Sequence, residues 1–263
     1  MELSKSTITL TFGDCAENHK GMEMIGTRGS KGSGYSVEEL RAIRIRCEEA
    51  GFVCRTGDLS VGISKEMPPD IKIDPAHVLV IKNGLDLLTG IKDAHKALFE
   101  EQAGLEVDTK AFMYGRVVNK KARWNLCFAE EGHPPAYEEG KGRVIPYEAI
   151  PVTKKLVTSL PTWFGDKAKE LKGEANYYYD IKKCGIGYHG DTERRKVIAV
   201  RLGAAMPLFF QWHWRGEQVG HRMELPLDGG DLYIMSEKAV GTDWKSSSLY
   251  TLRHAAGCAK FTD

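Results

Sequence analysis

The 263-residue chain has no run of 18 apolar residues, so no transmembrane helix and no membrane partner are expected. Its opening, Met1-Glu2-Leu3-Ser4-Lys5, has no apolar core of the kind a signal peptide carries. Also missing is any Cys-x-x-Cys pair. Cys15, Cys47, Cys54, Cys127, Cys184 and Cys258 are scattered, which argues against a zinc ribbon or a disulfide frame and for reduced thiols. A reducing compartment, cytoplasmic or nuclear, is the expectation. Charge of one sign is lacking too: 37 Lys and Arg against 36 Asp and Glu leave a formal +1. Whole-chain charge therefore points to no polyanionic partner, although a local basic patch stays open because a net value hides asymmetry. No internal repeat or low-complexity tract is visible, which excludes solenoids and arrays.

What remains is an ordinary folded composition, 42% apolar and 28% charged. The length suits one large domain, or a core with a small appendage. Residues 21–36 read as a flexible, solvated loop, with glycines and basic residues in Gly26-Thr27-Arg28-Gly29-Ser30-Lys31-Gly32-Ser33-Gly34. A helix follows: Ser36 and Glu39 make a capping box, Leu40, Ile43 and Cys47 recur at helical spacing, and Gly51 stops it. Strands are expected at 51–54 and 77–81, and a second helix at 91–103 ending on Gly104. Residues 1–105 thus read as an N-terminal α/β extension of no legible role.

From about residue 106 the pattern changes to short β-rich segments, at 111–118, 123–128, 143–147, 174–179, 197–202, 208–214, 231–235 and 249–252. One helical stretch, 152–171, interrupts them, and Pro161 is expected to break or divide it. Many short strands with regular turns suggest a barrel or a double-sheet jelly roll.

The most informative stretch is Ile186-Gly187-Tyr188-His189-Gly190-Asp191-Thr192-Glu193-Arg194-Arg195. Side chains two apart on a strand share a face, so His189 and Asp191 can present a nitrogen and a carboxylate oxygen to one metal. Two histidines and a carboxylate on one face of an octahedral ion leave three positions for a bidentate 2-oxo acid and dioxygen. The same donors also suit Mn(II) or Zn(II).

The setting sharpens this. The tyrosine-rich Asn176-Tyr177-Tyr178-Tyr179 precedes the motif, and Gly230-Asp231-Leu232-Tyr233-Ile234-Met235 follows it. Over residues 110–256 this order resembles the AlkB-like Fe(II)- and 2-oxoglutarate-dependent dioxygenases. The resemblance implies an α+β fold with a double-stranded β-helix (jelly-roll) core over 106–263. It also implies Fe(II) as cofactor, 2-oxoglutarate as co-substrate oxidised to succinate and CO2, and attack on a substrate C–H bond.

Two departures stand out. The family's second histidine would fall in Gly241-Thr242-Asp243-Trp244-Lys245-Ser246, where there is none. His254 is the histidine further on and is assigned as third ligand; if it is not, Ser246 occupies the expected place. The arginine that grips the distal carboxylate of 2-oxoglutarate is expected on the last core strand, because a planar guanidinium matches a carboxylate. Arg253 fits, but it adjoins His254, and neighbours on a regular strand face opposite ways. Arg201 is the alternative. By the same resemblance Tyr177 and Tyr179 bond 2-oxoglutarate, or else are core aromatics with satisfied hydroxyls. Glu193 and Arg194 help hold substrate, or else form a solvated turn. Tyr114 and Arg116, in a segment mixing basic and aromatic residues, belong to a nucleotide-recognition lid or to an exposed hairpin.

The expected function is hydroxylation or demethylation of a base in nucleic acid, single-stranded or flipped, since a stacked base is out of reach. Alternatives are the same cofactor chemistry on a protein side chain or small metabolite, or an inactive jelly-roll binding module.

Overall fold

The computed structural model describes residues 1–63 and 73–263. In chain order its strands and helices are β1 (Thr7–Gly13), β2 (Cys15–Glu17), β3 (Met24–Gly26), α1 (Val37–Glu49), β4 (Val53–Asp58), β5 (His77–Lys82), α2 (Leu85–Thr89), α3 (Ala94–Ala103), β6 (Lys110–Met113), β7 (Arg116–Asn119), β8 (Trp124–Ala129), β9 (Val144–Pro146), α4 (Pro151–Phe164), β10 (Lys172–Tyr178), β11 (Gly185–His189), β12 (Val197–Gly203), β13 (Leu208–Trp214), β14 (Glu217–Leu225), β15 (Leu232–Met235), α5 (Glu237–Val240), β16 (Thr251–Gly257) and α6 (Ala259–Thr262). No helix among the described residues is long and apolar enough to cross a membrane.

This is a mixed α+β fold dominated by antiparallel sheets. The large sheet runs β4-β5-β15-β12-β1-β10-β8-β9, the small one β11-β16-β13-β14, and β2-β3 and β6-β7 are two-stranded ribbons. Period-two alternation gives each face of the large sheet a separate role. In β1, Ile8, Leu10 and Phe12 join Leu40 of α1, Leu98 of α3 and Leu156 and Leu160 of α4 in one buried cluster. Each such side chain contributes roughly 1.5–3 kcal/mol by leaving water. The intervening Thr7, Thr9 and Thr11 point the other way. On that second face Val78, Val80, Ala199, Tyr233 and Met235 pack against Phe210, Trp212, Leu252 and Ala256 of the small sheet.

From β10 onward the chain alternates between sheets: β10 large, β11 small, β12 large, β13 and β14 small, β15 large, β16 small. The slot between β10 and β12 is filled by β1, antiparallel to both, with Thr9 opposite Asn176 on one side and Arg201 on the other. Residues 1–105 are therefore not set apart from the rest within this sheet, since β1, β4 and β5 all belong to it.

Several elements differ from the sequence reading for identifiable reasons. The strand expected at 111–118 is the hairpin β6–β7, because Tyr114 and Gly115 both take positive φ (53° and 74°) and turn the chain back. The second helix starts at Ala94, where the Asp86 carboxylate accepts the Asp93 and Ala94 N–H groups. α4 runs through Pro161 and ends at Phe164, not 171. Its start is fixed from outside, by the Glu101 carboxylate accepting the N–H groups of Val152 and Thr153. The loop expected to be free is pinned: Asp14 accepts from Gly29 N–H, and Glu237 from Gly32 and Gly34 N–H.

Candidate functional site

His189 ends β11 directly opposite His254 of β16, which in turn faces Phe210 of β13. The ladder shifts register between Ile186 and His189, an irregularity of the kind that re-aims a side chain. Two residues on, the Asp191 N–H donates to the Val240 carbonyl at 3.0 Å, and a Cβ added at Gly190 would collide with the Gly241 carbonyl. The chain after β11 is thus clamped against the end of α5. In this arrangement Nε2 of His189 lies 3.6 Å, and Nε2 of His254 3.5 Å, from the same oxygen, Oδ1 of Asp191. Potential ligand atoms of the three residues all lie within 4.8 Å of one another.

The histidine tautomer fits a metal ligand. Nδ1 of His189 is 2.8 Å from the Gly187 carbonyl, which accepts only if Nδ1 carries the proton, leaving the Nε2 lone pair free. Burial and the neighbouring His254 push the His189 imidazole down to about 3, so it is neutral at physiological pH. Burial alone would raise the Asp191 carboxyl, but Arg194 and the two imidazoles hold it below the usual carboxylate range. Two imidazoles and a carboxylate are a donor set that can hold a divalent ion.

Behind Asp191 sits Arg194, 2% exposed. Its Nε is 3.5 Å from Asp191 Oδ2, its Nη2 donates to Glu193 at 2.7 Å, and it also bonds Glu174, while Nη1 has no partner among the described residues. A Cβ at Gly13 would sit 3.1 Å from Arg194 Cδ, so the glycine makes room for this side chain. The reading of Glu193-Arg194 as a solvated turn does not survive this burial. Arg194 ties Asp191 to a carboxylate network on β10.

The three residues open onto a cavity of about 340 Å³ between the sheets. Its large-sheet wall is one row across three strands, Asn176, Thr9 and Arg201, with Thr11, Tyr178 and Tyr233 beside it. Arg201 is 1% exposed. Its Nη1 donates to Thr9 Oγ1, while Nε and Nη2 have no partner among the described residues. An uncompensated guanidinium is costly to bury, so this one points to an anionic ligand in the cavity.

Of the residues singled out in the sequence, His189, Asp191, His254, Arg201, Glu193 and Arg194 line this cavity. Tyr177 does not: it stands on the helix side of the large sheet, its hydroxyl donating to Gln102 at 2.7 Å. Tyr179 lies beyond the end of β10, stacked on Trp124 with its hydroxyl on the Lys121 carbonyl. The tyrosine between them, Tyr178, faces the cavity, because β10 turns its even-numbered side chains that way. Arg253 lies on the opposite face of β16 from His254, over the Trp244 ring. Ser246 contacts Ser248. Tyr114, 91% exposed, and Arg116 are at the hairpin turn, away from the cavity lining. Sequence reasoning missed Thr9, Asn176, Tyr178, Glu17, His19 and Trp244. For Thr9 a signal was present, the strict Thr/apolar alternation of residues 7–12.

The fold and site define a two-sheet α+β protein with a buried His-Asp-His cluster able to hold a metal. Over 258 residues the chain is 47% identical to an uncharacterized protein of Acanthamoeba polyphaga mimivirus, covering 98% of each. It therefore belongs to the same family as that viral protein. No protein-family model matches the chain.

Proposed function

We propose that the protein is an Fe(II)- and 2-oxoglutarate-dependent dioxygenase, built on a jelly-roll core, that hydroxylates or demethylates a nucleic-acid base. The observation that carries this reading is the pairing, in one cavity, of the His189-Asp191-His254 cluster with the unpartnered guanidinium of Arg201. The alternation of β10 to β16 between two sheets supports the jelly roll, with β1 in the place of the closing strand. Mn(II) or Zn(II) would suit the same donors; Arg201 is what favours an iron enzyme with a dicarboxylate co-substrate.

Iron would be held by Nε2 of His189, Oδ1 of Asp191 and Nε2 of His254. When bound it supplies dioxygen activation coupled to decarboxylation of 2-oxoglutarate to succinate and CO2. The chain's own residues do the rest. Arg194 fixes the second oxygen of Asp191, leaving Oδ1 toward the histidines. Arg201, with Thr9 beside it, binds the distal carboxylate as a charge-assisted pair. Asn176 and Tyr178 offer hydrogen bonds along the same wall, and the apolar contacts between sheets exclude water. A cavity of about 340 Å³ is at the small end for ligand sites. It suits a 2-oxo acid plus one base-sized group better than a large metabolite. Glu17 and Glu193 on the wall would equally suit a cationic protein side chain, which is the second reading.

The test is succinate formation from 2-oxoglutarate by purified protein with Fe(II) under air, alone and with methylated single-stranded DNA or RNA. Turnover that nucleic acid stimulates is the expected result. No succinate under any condition from folded, iron-loaded protein would overturn the proposal in favour of a binding module.

A further inference from the structure

Half-buried Trp244 lines the cavity, and three cations crowd its ring. Lys20 Nζ is 5.8 Å, Lys245 Nζ 5.5 Å and Arg253 Cζ 5.2 Å from the ring centroid. None of these three has a carboxylate partner among the described residues, whereas the nearby Lys238 and Arg195 are ion-paired with Asp243 and Glu237. Nε of Arg253 and Nε1 of Trp244 are buried and make no hydrogen bond among the described residues. Arg123, also lining the cavity, donates to the amide oxygen of Asn176 and has no carboxylate partner among the described residues. Like charges gathered on one indole repel one another, and cation–π attraction of about 0.5–1 kcal/mol per exposed pair offsets that poorly. Among the described residues no carboxylate pairs with the cluster; the adjacent Asp243 is taken by Lys238. With net charge only +1, such a concentration is local, not a consequence of a basic chain.

We propose that Trp244, Lys20, Lys245 and Arg253 form a docking site for the phosphodiester backbone of a single strand whose neighbouring base enters the cavity. The cations take the phosphates and the indole offers a stacking face, the combination that single-strand sites use. The inference deepens the nucleic-acid reading above and rests on it for the identity of the strand. Its binding step needs neither metal nor 2-oxoglutarate. A free base or nucleoside, lacking phosphate, is a poor ligand for this site, and so is a neutral peptide.

The experiment is fluorescence anisotropy of a labelled single-stranded oligonucleotide with the full chain, in chelator and without 2-oxoglutarate, across a range of KCl. Binding is expected to weaken with salt. The triple variant Lys20→Gln, Lys245→Gln, Arg253→Gln should flatten the log–log salt slope by about 2, given roughly 0.7 per single-strand phosphate contact. Trp244→Ala should weaken binding about tenfold, with Trp244→Phe recovering most of it. Thermal melts check that each variant is folded. Binding without salt dependence, folded variants that bind like wild type, or equal competition by polyglutamate would each overturn the proposal. Succinate formation is measured separately. A protein that binds strands but makes no succinate sinks the oxygenase reading alone, and one that makes succinate but binds no strand sinks this one.

Discussion

At the scale of single residues, the arginine at 201 separates function from stability. Its guanidinium is buried with two nitrogens unpartnered, and removing an uncompensated buried charge tends to stabilise. Arg201→Met is therefore expected to raise the stability of the ligand-free protein by about 1–3 kcal/mol. The same change should weaken 2-oxoglutarate binding roughly thirtyfold or more, the order expected when one partner of a buried charge pair is lost. Calorimetry of melting and of co-substrate binding tests both halves; unchanged affinity would remove Arg201 from the site. Glu17 gives a pH signature. Burial and the charges of Glu193 and Glu174 push its carboxyl up to about 7, against the opposing Gly21 N–H and Arg194. A carboxyl whose folded pKa exceeds its unfolded value is penalised as pH rises from the unfolded to the folded pKa. The cost is absent near pH 4, grows toward 7 and is complete above it. Because the group is partly exposed and solvent screens its neighbours, the cost is about 1 kcal/mol. In chelator, Glu17→Gln should melt like wild type near pH 4.5 and above it at pH 8. A difference independent of pH would point to another cause. Residues of this kind were only half legible in the sequence. The spacing of His189 and Asp191 gave both away, and His254 was reached by elimination. Asn176 and Tyr178 were missed because the facing of β10 depends on which side its neighbours bury, which the run Tyr177-Tyr178-Tyr179 does not reveal.

At the scale of elements, the instructive case is β1. Its alternation of threonine with Ile8, Leu10 and Phe12 is a strand pattern, yet nothing local says that it lies between β10 and β12, more than 150 residues away in sequence. Pairing over such separations is a property of the whole chain. Because β1 has neighbours on both sides and helices over one face, Leu10→Ala should cost about 2–5 kcal/mol, the usual range for a buried leucine. A loss of less than about 1 kcal/mol in denaturant unfolding would mean that β1 is peripheral to the sheet. The polar nine residues of β14 were unreadable for the opposite reason: an edge strand with one side to solvent carries little apolar alternation. The glycine-rich loop after β3 was misjudged because its anchors, Asp14 and Glu237, are distant side chains. Arg28, within it, donates to the Thr192 carbonyl at 2.8 Å, so this loop braces the segment that carries Asp191.

At the scale of the molecule, the proposed site bridges the two sheets. The side chains of the His-Asp-His cluster, which could hold a metal, come from β11, the segment after it and β16, whereas Arg201 and Thr9 come from the large sheet. A divalent ion alone would tie together parts of the small-sheet side. A 2-oxo acid chelated to that ion and gripped by Arg201 would tie one sheet to the other. The two ligands should therefore stabilise the fold in a fixed order of dependence. Co(II), an oxygen-inert substitute for iron, is expected to add roughly 2.7 kcal/mol at a hundred times its Kd, a rise in Tm of several degrees for a chain of this size. 2-Oxoglutarate should add a further rise only when Co(II) is present, and His189→Ala should abolish both increments while melting normally without ligand. Differential scanning fluorimetry across the four ligand combinations reads this directly. If 2-oxoglutarate stabilised the metal-free protein or the His189→Ala variant as much as the cobalt-loaded wild type, the acid would be binding to Arg201 without chelation. The cavity would then be a carboxylate-binding site, and the coupling of metal and co-substrate on which the oxygenase reading depends would be gone.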